Sequence, residues 1–400
     1  MKVSQDVSAD VTESGQRKIK WAQANMPMLA KIKTDFEKTQ PFKGLTIGVS
    51  LHIEKKTAIL LLVLEAGGAK IVATGNFGTT QDDIAAALNE LGIVVYGHRS
   101  DSQAEHFENI ANVLSHKPEL LLDNGADLIK MVVRDSRFSP QGILGGTEET
   151  TSGGFRMREE MAGDVPFPII VINDSPLKLI VENKHGVGQS IVESFSRITN
   201  LMVQGKRIAV VGYGWCGRGI AKYFKALGGR VAVVEANPIV SLEAAVDGHE
   251  VIEANAAAEW ADVIITATGR KGVIGAEHFD IMKDGVILGN AGHFDWEIDT
   301  PALLQRAKSV DALEDGIEVC QMPSGKRIVL LCQGRMFNLG GKQPKGNTLE
   351  CMDMGFTLQA LSQLRVVTSR EALTPGPQPV PDSINTETAT RMLATFKSRK

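Results

Sequence analysis

The chain has 400 residues, of which 22% are charged, and its formal net charge is −4. This length exceeds what one compact core usually holds, so we expect two domains plus extensions. No basic patch indicates a nucleic-acid partner, and no apolar stretch is long enough to predict a membrane partner, so we expect a cytoplasmic protein. The four cysteines lack the spacing of metal ligands, which predicts reduced thiols and no metal site.

The first part of the chain alternates between helical and extended patterns. Helices are predicted over 17–37, 57–66, 80–91 and 105–114, and strands over 45–49, 70–74, 92–96, 120–123 and 169–172. Repeated β-α units of this length predict a parallel sheet covered by helices on both faces. The sequence therefore predicts a complete α/β domain before the dinucleotide-binding motif begins.

A dinucleotide-binding pattern follows. After a predicted helix over 189–202, an apolar run leads into Gly212, Gly214 and Gly217, and a second apolar run ends at Glu235. In such a turn the first glycine permits the sharp bend, the second lets the backbone approach a pyrophosphate, and the third allows close helix packing. The acid is placed to bind the ribose diol and repels a 2′-phosphate, so NAD is the predicted cofactor.

The rest of the sequence predicts the remaining strands of this second domain, followed by a helix, a linker and a terminal helix. Strands are predicted over 263–266, 286–290 and 328–332, a helix over 352–364, an extended Pro-rich linker over 374–381 and a terminal helix over 385–397.

Ordered motifs along the chain resemble those of the S-adenosylhomocysteine hydrolase family, most closely its shorter archaeal and bacterial form. They include Leu51-His52, Glu148-Glu149-Thr150-Thr151, Asn173-Asp174-Ser175, the Gly-Tyr-Gly turn and Gly292-His293-Phe294. The resemblance implies two doubly wound parallel-sheet α/β domains, with a Rossmann NAD domain (183–347) inserted into a substrate domain (1–182 and 348–366), followed by the linker and terminal helix (367–400). It also implies an adenine nucleoside substrate and a homo-oligomer, either a dimer or a tetramer.

The family's reaction is a redox-assisted elimination. The 3′ hydroxyl of a nucleoside is oxidised, the 4′ proton is removed, the 5′ substituent leaves, and water adds before the ketone is reduced again. The resemblance assigns catalytic roles to Lys178, Glu182, His52, His293 and Asn124. If the local structure is helical, Lys178 and Glu182 share a face, although a surface ion pair is the plain alternative.

Further residues match binding positions of the family. For the substrate these are Glu149, Glu54, Thr57 and Asn347; for NAD they are Thr150, Thr151, Asn183 and Asn338, besides Gly212, Gly214, Gly217 and Glu235. For the acid–hydroxyl cluster at 149–151, helix capping is the alternative.

Three positions depart from the family pattern. Asn124 replaces an aspartate near the 5′ carbon, Glu182 replaces a shorter aspartate, and Asn347 replaces a gate histidine. The resemblance places these changes on the 5′ side of the reaction and at the gate. At residue 124 the amide cannot transfer a proton at neutral pH. Three hypotheses remain open: hydrolysis by oxidation and elimination; a specialised dehydratase or lyase that releases an unsaturated nucleoside; and a non-catalytic NAD- and nucleoside-binding regulator.

Overall fold

A computed structural model describes residues 8–398 of the chain. The chain divides into two compact units: one holds the described residues up to Lys178 and those from Leu349 onward, and the other spans Leu179–Thr348. Within the described part, no helix has the length and apolar character needed to cross a bilayer. The start of the polar N-terminal stretch lies outside the described residues.

The first unit is built on a seven-stranded sheet whose paired strands all run parallel. Its strands are β1 (Thr46–Leu51), β2 (Lys70–Gly75), β3 (Val94–Tyr96), β4 (Leu120–Asp123), β5 (Gly145–Glu148), β6 (Pro168–Val171) and β15 (Gly376–Pro379). Its helices are α1 (Ala9–Ala24), α2 (Pro27–Thr39), α3 (Lys55–Ala66), α4 (Asp82–Glu90), α5 (Gln103–Ser115), α6 (Asp127–Arg134), α7 (Thr151–Glu159), α14 (Leu349–Thr368) and α15 (Asp382–Ser398).

The strand order β15-β6-β5-β4-β1-β2-β3 fixes where a ligand site is expected in this unit. From β1 the chain moves outward through β2 and β3, then returns to place β4 on the other side of β1. In open α/β sheets, ligands bind at the carboxyl ends of the strands where the order reverses. This switch point lies between β1 and β4.

The second unit contains an eight-stranded sheet ordered β12-β13-β14-β11-β10-β7-β8-β9. Its strands are β7 (Arg207–Val211), β8 (Arg230–Val234), β9 (Glu250–Val251), β10 (Val263–Thr266), β11 (Val286–Asn290), β12 (Ser309–Glu314), β13 (Ile317–Gln321) and β14 (Arg327–Leu331). A π-helix (Lys178–Val187) leads into the unit, and its α-helices are α8 (Gly188–Thr199), α9 (Trp215–Ala226), α10 (Pro238–Val246), α11 (Ala254–Trp260), α12 (Ala276–Ile281) and α13 (Thr300–Arg306). Its switch point lies between β7 and β10. The predicted α/β class with two doubly wound sheets is confirmed.

The single helix predicted over 17–37 is wrong. The chain forms α1 and α2, separated at Asn25 and Met26, with Pro27 as the first residue of α2. Proline lacks the N–H that a continuous helix needs and favours a helix start. Asp353 then accepts hydrogen bonds from the backbone N–H groups of Met28 and Leu29, each at 2.9 Å, and so caps α2.

The predicted linker over 374–381 is also wrong, because four of its residues form β15. This strand pairs in parallel with β6 at the edge of the first sheet, with Gly376 opposite Pro168. Proline is tolerated in an edge strand because one side of the strand has no neighbour to bond. The proline-rich composition thus encodes an edge strand and not a flexible spacer.

Candidate active site

A buried charged cluster lies in the first unit. Glu149 immediately follows β5, and its carboxylate accepts hydrogen bonds from the Lys178 ammonium and from the side-chain amide of Gln359. All three residues are buried. A buried ion pair is costly to desolvate and is weak evidence for stability, so its retention favours a functional role. Glu182 is also buried, which excludes the surface ion pair between Lys178 and Glu182.

Gln359 is a member of this cluster that the sequence analysis missed. It lies in α14, where the helical pattern indicated only apolar core residues. Its Oε1 is buried and has no hydrogen-bond partner, so the side chain retains an acceptor for a ligand hydroxyl. The available signal was a pair of glutamines, Gln359 and Gln363, within a helix that is otherwise largely apolar.

The switch point between β1 and β4 holds a second set of polar residues. His52 follows β1, and its Nδ1 lies 2.8 Å from the Thr79 hydroxyl. Across the switch point, Asn124 follows β4, and its backbone carbonyl accepts a hydrogen bond from Asn76 at 2.9 Å. The Oδ1 atoms of Asn76 and Asn124 are both buried without a partner. Such orphaned acceptors fit a site that a polar ligand completes.

Two buried carboxyl groups support this edge of the sheet. Asp123 accepts hydrogen bonds from the N–H groups of Asn124 and Ile129, at 2.9 and 2.8 Å. Glu148 bonds the N–H groups of Gly125 and Ala126 at 2.9 and 3.0 Å. Burial raises the pKa of both carboxyls, and the proximity of Glu148 raises that of Asp123 further. Together they fix the loop that presents Asn124.

Glu54 directly precedes α3, and Thr57 lies in the first turn of that helix. The Thr57 hydroxyl donates to the backbone carbonyl of His52 at 2.6 Å, which ties the helix start to the histidine. Glu54 precedes α3 and pairs with Lys56, with 3.0 Å between Oε2 and Nζ. Lys56 was not singled out in the sequence.

Thr150 is the N-cap of α7, and Thr151 is its first residue. The Thr150 hydroxyl accepts from the N–H of Gly153 at 3.2 Å and donates to Glu148 at 2.8 Å. The alternative capping role is therefore present for Thr150, and NAD contact by either threonine stays a prediction.

The glycine turn of the second unit has the geometry that its sequence predicts. Gly212 has a φ of +97°, and a Cβ at Gly217 would lie 2.0 Å from the carbonyl oxygen of Gly212. A Cβ at Gly214, by contrast, would meet no atom within 4 Å. The turn is thus closed on the protein side and open at Gly214, just before α9. The helix N-terminus at Gly214 leaves space in which a pyrophosphate can approach the backbone N–H groups.

Glu235 follows β8 beside this turn. Its carboxylate accepts hydrogen bonds from the backbone N–H groups of Tyr213 and Asn237, at 2.8 and 2.9 Å. The side chain is only partly buried, so it combines support of the turn with access for a ribose diol. These residues fit a bound dinucleotide.

Four side chains of the second unit form a continuous polar chain. Asn338 donates to the Ser190 hydroxyl at 3.0 Å, this hydroxyl lies 3.1 Å from Oδ1 of Asn347, and Asn347 donates to Glu182 at 3.3 Å. Three of these were predicted site residues, and Ser190, which joins them, was missed. Asn183 lies in the adjoining π-helix and is half-buried.

The loop that carries His293 is shaped by two residues that the sequence analysis missed. Asn290, at the end of β11, donates to the carbonyls of Phe294 and Gly334 at 2.7 and 3.0 Å. Glu297 is fully buried and accepts from the N–H groups of Thr268 and Gly269. Burial raises the pKa of Glu297. The His293 ring itself packs edge-on against Phe294, with 4.7 Å between centroids.

Comparison with known proteins places the chain in a family. Residues 183–343 match the model of the S-adenosyl-L-homocysteine hydrolase NAD binding domain, and residues 4–144 match that of S-adenosyl-L-homocysteine hydrolase. The chain belongs to this family. It is therefore an enzyme of the hydrolase family with NAD as its cofactor, and the predicted resemblance is confirmed.

Individual relatives cover nearly the whole chain and carry two names. The S-inosyl-L-homocysteine hydrolase of Methanothermobacter thermautotrophicus is 44% identical over 93% of this chain and 89% of its own length. That of Methanocaldococcus jannaschii is 43% identical over 91% and 87%. The adenosylhomocysteinase of Thermococcus kodakarensis is 43% identical over 96% and 91%. The two names differ in the purine base of the nucleoside.

Proposed function

We propose that this enzyme cleaves the thioether of a purine nucleoside and homocysteine by oxidation at the 3′ carbon, elimination and addition of water. The observation that carries the proposal is the buried cluster of Glu149, Lys178 and Gln359 in the first unit. It offers acceptors for sugar hydroxyls beside an ammonium group, which suits recognition of a ribose. Relatives that match nearly the whole of this chain are named for such thioethers.

We assign each step of this reaction to particular residues of the chain. Glu149 and Gln359 hold the ribose hydroxyls, and Lys178 orients the 3′ hydroxyl. After the Lys178 ammonium has passed a proton to the Glu149 carboxylate, the neutral amine receives the hydroxyl proton. When bound at the glycine turn, NAD⁺ supplies the acceptor for the hydride from the 3′ carbon. We assign removal of the 4′ proton to Glu182, and proton handling at the sugar to His52 and His293.

Elimination then breaks the C5′–S bond and leaves an alkene between C4′ and C5′, while the departing thiolate takes up a proton. Water adds to C5′, and the 4′ carbon regains a proton. The cofactor held at the glycine turn would return the hydride to the 3′ carbon and so restore the alcohol. Asn124 lies at the switch point assigned to this 5′ side, and Asn347 bonds Glu182. Neither amide can exchange a proton, so both serve as hydrogen-bonding groups only.

The amide at residue 124 supports the lyase as a second candidate function. With no carboxylate at this position, water addition is the step that loses a proton carrier, and an unsaturated nucleoside becomes a possible product. Product identity separates the two functions. We expect homocysteine and the intact nucleoside from the hydrolase, and homocysteine with a 4′,5′-unsaturated nucleoside from the lyase.

We expect Asn124→Asp to alter the 5′ half of the reaction without altering 3′ oxidation. If proton transfer at the 5′ carbon limits the native enzyme, the restored carboxylate raises hydrolysis by ~10²-fold, the lower end of the range for a positioned acid or base. Mass spectrometry of products, with bound reduced nicotinamide measured in parallel, checks this. An unchanged rate and product would show that another group moves the proton.

The expected homo-oligomer and cytoplasmic location stay part of the proposal. Apolar side chains on α10 support self-association, since Ile239, Leu242 and Val246 are each more than half exposed, at 78%, 65% and 79%. Light scattering of the purified protein distinguishes a dimer from a tetramer.

A further inference from the structure

A hydrogen-bond chain in the second unit joins a predicted cofactor contact to the proposed base. Asn338 donates to the Ser190 hydroxyl at 3.0 Å. This hydroxyl donates to Oδ1 of Asn347 at 3.1 Å, and Asn347 in turn donates to Glu182 at 3.3 Å. All four residues lie within Leu179–Thr348. Asn338, Ser190 and Glu182 are buried, with exposed fractions of 4%, 2% and 6%.

The Glu182 carboxylate sets the direction of this chain. An ionised carboxylate only accepts hydrogen bonds, so the Asn347 amide turns its Nδ2 toward Glu182 and its Oδ1 toward Ser190. Ser190 has a single hydroxyl hydrogen, and the bond to Asn347 uses it. Toward Asn338 the hydroxyl can then only accept, which requires the nitrogen of that amide. Every donor in the chain therefore points from Asn338 toward Glu182.

The far end of the chain is an acceptor. Because its nitrogen is bonded to Ser190, the Asn338 side chain has Oδ1 left over, and this atom is buried without a hydrogen-bond partner. A buried carbonyl oxygen without a partner is costly, so this atom is suited to accept from a donor on a bound ligand. Asn338 is a predicted NAD contact, which makes the cofactor the expected donor.

Ser190 is the residue at which the chain can be broken. Its Oγ lies 3.1 Å from Asn347 Oδ1 and also 3.1 Å from the backbone carbonyl oxygen of Val187. The single hydrogen serves one of these two acceptors at a time. An ionised Glu182 orients and polarises Asn347 and so favours the bond within the chain. A neutral group at residue 182 no longer orients Asn347, and the hydroxyl can turn to Val187.

We propose that Ser190 is a positioning residue that couples the affinity for NAD to the ionisation of Glu182. This inference rests on the proposed function, in which Glu182 removes the 4′ proton. While Glu182 is ionised, the chain keeps its direction and Asn338 offers an acceptor to the cofactor. When Glu182 takes up the proton, the chain loses its direction and the Asn338 amide can rotate. Because coupling is reciprocal, bound NAD also favours the ionised form of the base.

The test is a double-mutant cycle on the dissociation of NAD⁺ from the loaded enzyme, followed by exchange with isotopically labelled NAD⁺. Glu182→Gln places a neutral amide of nearly the same shape at the end of the chain. We expect it to speed NAD⁺ dissociation ~5-fold or more, the lower end of the usual coupling between sites. In a Ser190→Ala background the same change should have no further effect, because the chain is already broken.

Two further variants separate coupling from folding. Ser190→Thr keeps the hydroxyl and should retain the response to Glu182→Gln. Ser194→Ala is the matched control, since Ser194 is a buried serine one turn later in α8 and bonds Glu193 and Arg197 instead of the chain. It should also retain the response.

Equal acceleration by Glu182→Gln in the native and Ser190→Ala backgrounds would overturn the inference, as would no acceleration in the native background. Loss of deuterium from the 4′ carbon of a bound nucleoside tests the proposed function separately. If the native enzyme releases no 4′ deuterium while the cycle stays non-additive, the assignment of Glu182 as the base is wrong and the coupling through Ser190 stands.

Discussion

The buried charged residues are the strongest structural indication of function in this protein. Glu149 and Lys178 are paired within the first unit, and Gln359 bonds the same carboxylate. None of these groups is needed to fill a core position, since an apolar residue of similar size would avoid the desolvation cost. Their retention is best explained by contact with a polar substrate.

We expect Lys178→Gln to reduce the rate of cofactor reduction by ~10²–10⁴, the usual cost of removing a positioned acid or base. Lys178→Arg keeps a buried positive charge beside Glu149. A low rate in this variant would therefore not be explained by misfolding around an unpaired Glu149 carboxylate. It should nevertheless remain slow, because a guanidinium does not give up its proton. The measurement is the absorbance of bound reduced nicotinamide after nucleoside is added.

Lys184→Gln serves as the control for these variants, because Lys184 is a half-buried lysine of the same π-helix. It should behave as the native enzyme. Normal nicotinamide reduction in Lys178→Gln would remove the residue from the mechanism and leave it only as a partner of Glu149.

At the scale of elements, the turn between β7 and α9 allows a specific test of the dinucleotide site. We expect Gly214→Val to fold and to lose NAD, because a Cβ there meets no protein atom within 4 Å and intrudes only on an approaching pyrophosphate. The NAD content of the purified protein and its affinity by calorimetry measure this. Ala226→Val, at the exposed end of α9, is the control.

A second variant of the turn should have a smaller effect. Glu235→Ala removes one proposed ribose contact and the acceptor for the Tyr213 N–H, so NAD binding should weaken without being abolished. Full NAD content in Gly214→Val would disprove the assignment of the dinucleotide to this turn.

Elements with strong local signals were predictable from the sequence. Strands over Leu120–Asp123, Val263–Thr266 and Val286–Asn290 have the predicted bounds, because continuous apolar runs between turn residues specify buried parallel strands. The β15 strand was not predictable, since its residues favour an extended chain and only the edge of β6 makes it a strand.

The same distinction holds for the site. The glycine turn and Glu235 were predictable because their chemistry is local in sequence. Gln359 lies 210 residues from its partner Glu149, and Ser190 lies 148 residues from Asn338. No local pattern predicts a hydrogen bond over such separations, so these residues emerge only from the fold.

At the scale of the whole molecule, one chain builds two units by inserting one within the other. The chain leaves the first unit after Lys178 and returns to it at Leu349, the first residue of α14. The returning helix is not merely packing, because Asp353 caps α2 and Gln359 bonds Glu149. The insertion thus places the proposed catalytic lysine at the junction in the chain and the amide proposed to bind the ribose on the returning helix.

The central claim is that bond cleavage proceeds through reversible oxidation of the sugar. A single-turnover stopped-flow experiment tests it directly: enzyme loaded with NAD⁺ is mixed with the nucleoside thioether while bound reduced nicotinamide and homocysteine release are followed together. We expect reduced nicotinamide to form before homocysteine appears and then to be reoxidised on the enzyme. Release of homocysteine at the full rate with no reduction of nicotinamide, or without bound cofactor, would contradict the account.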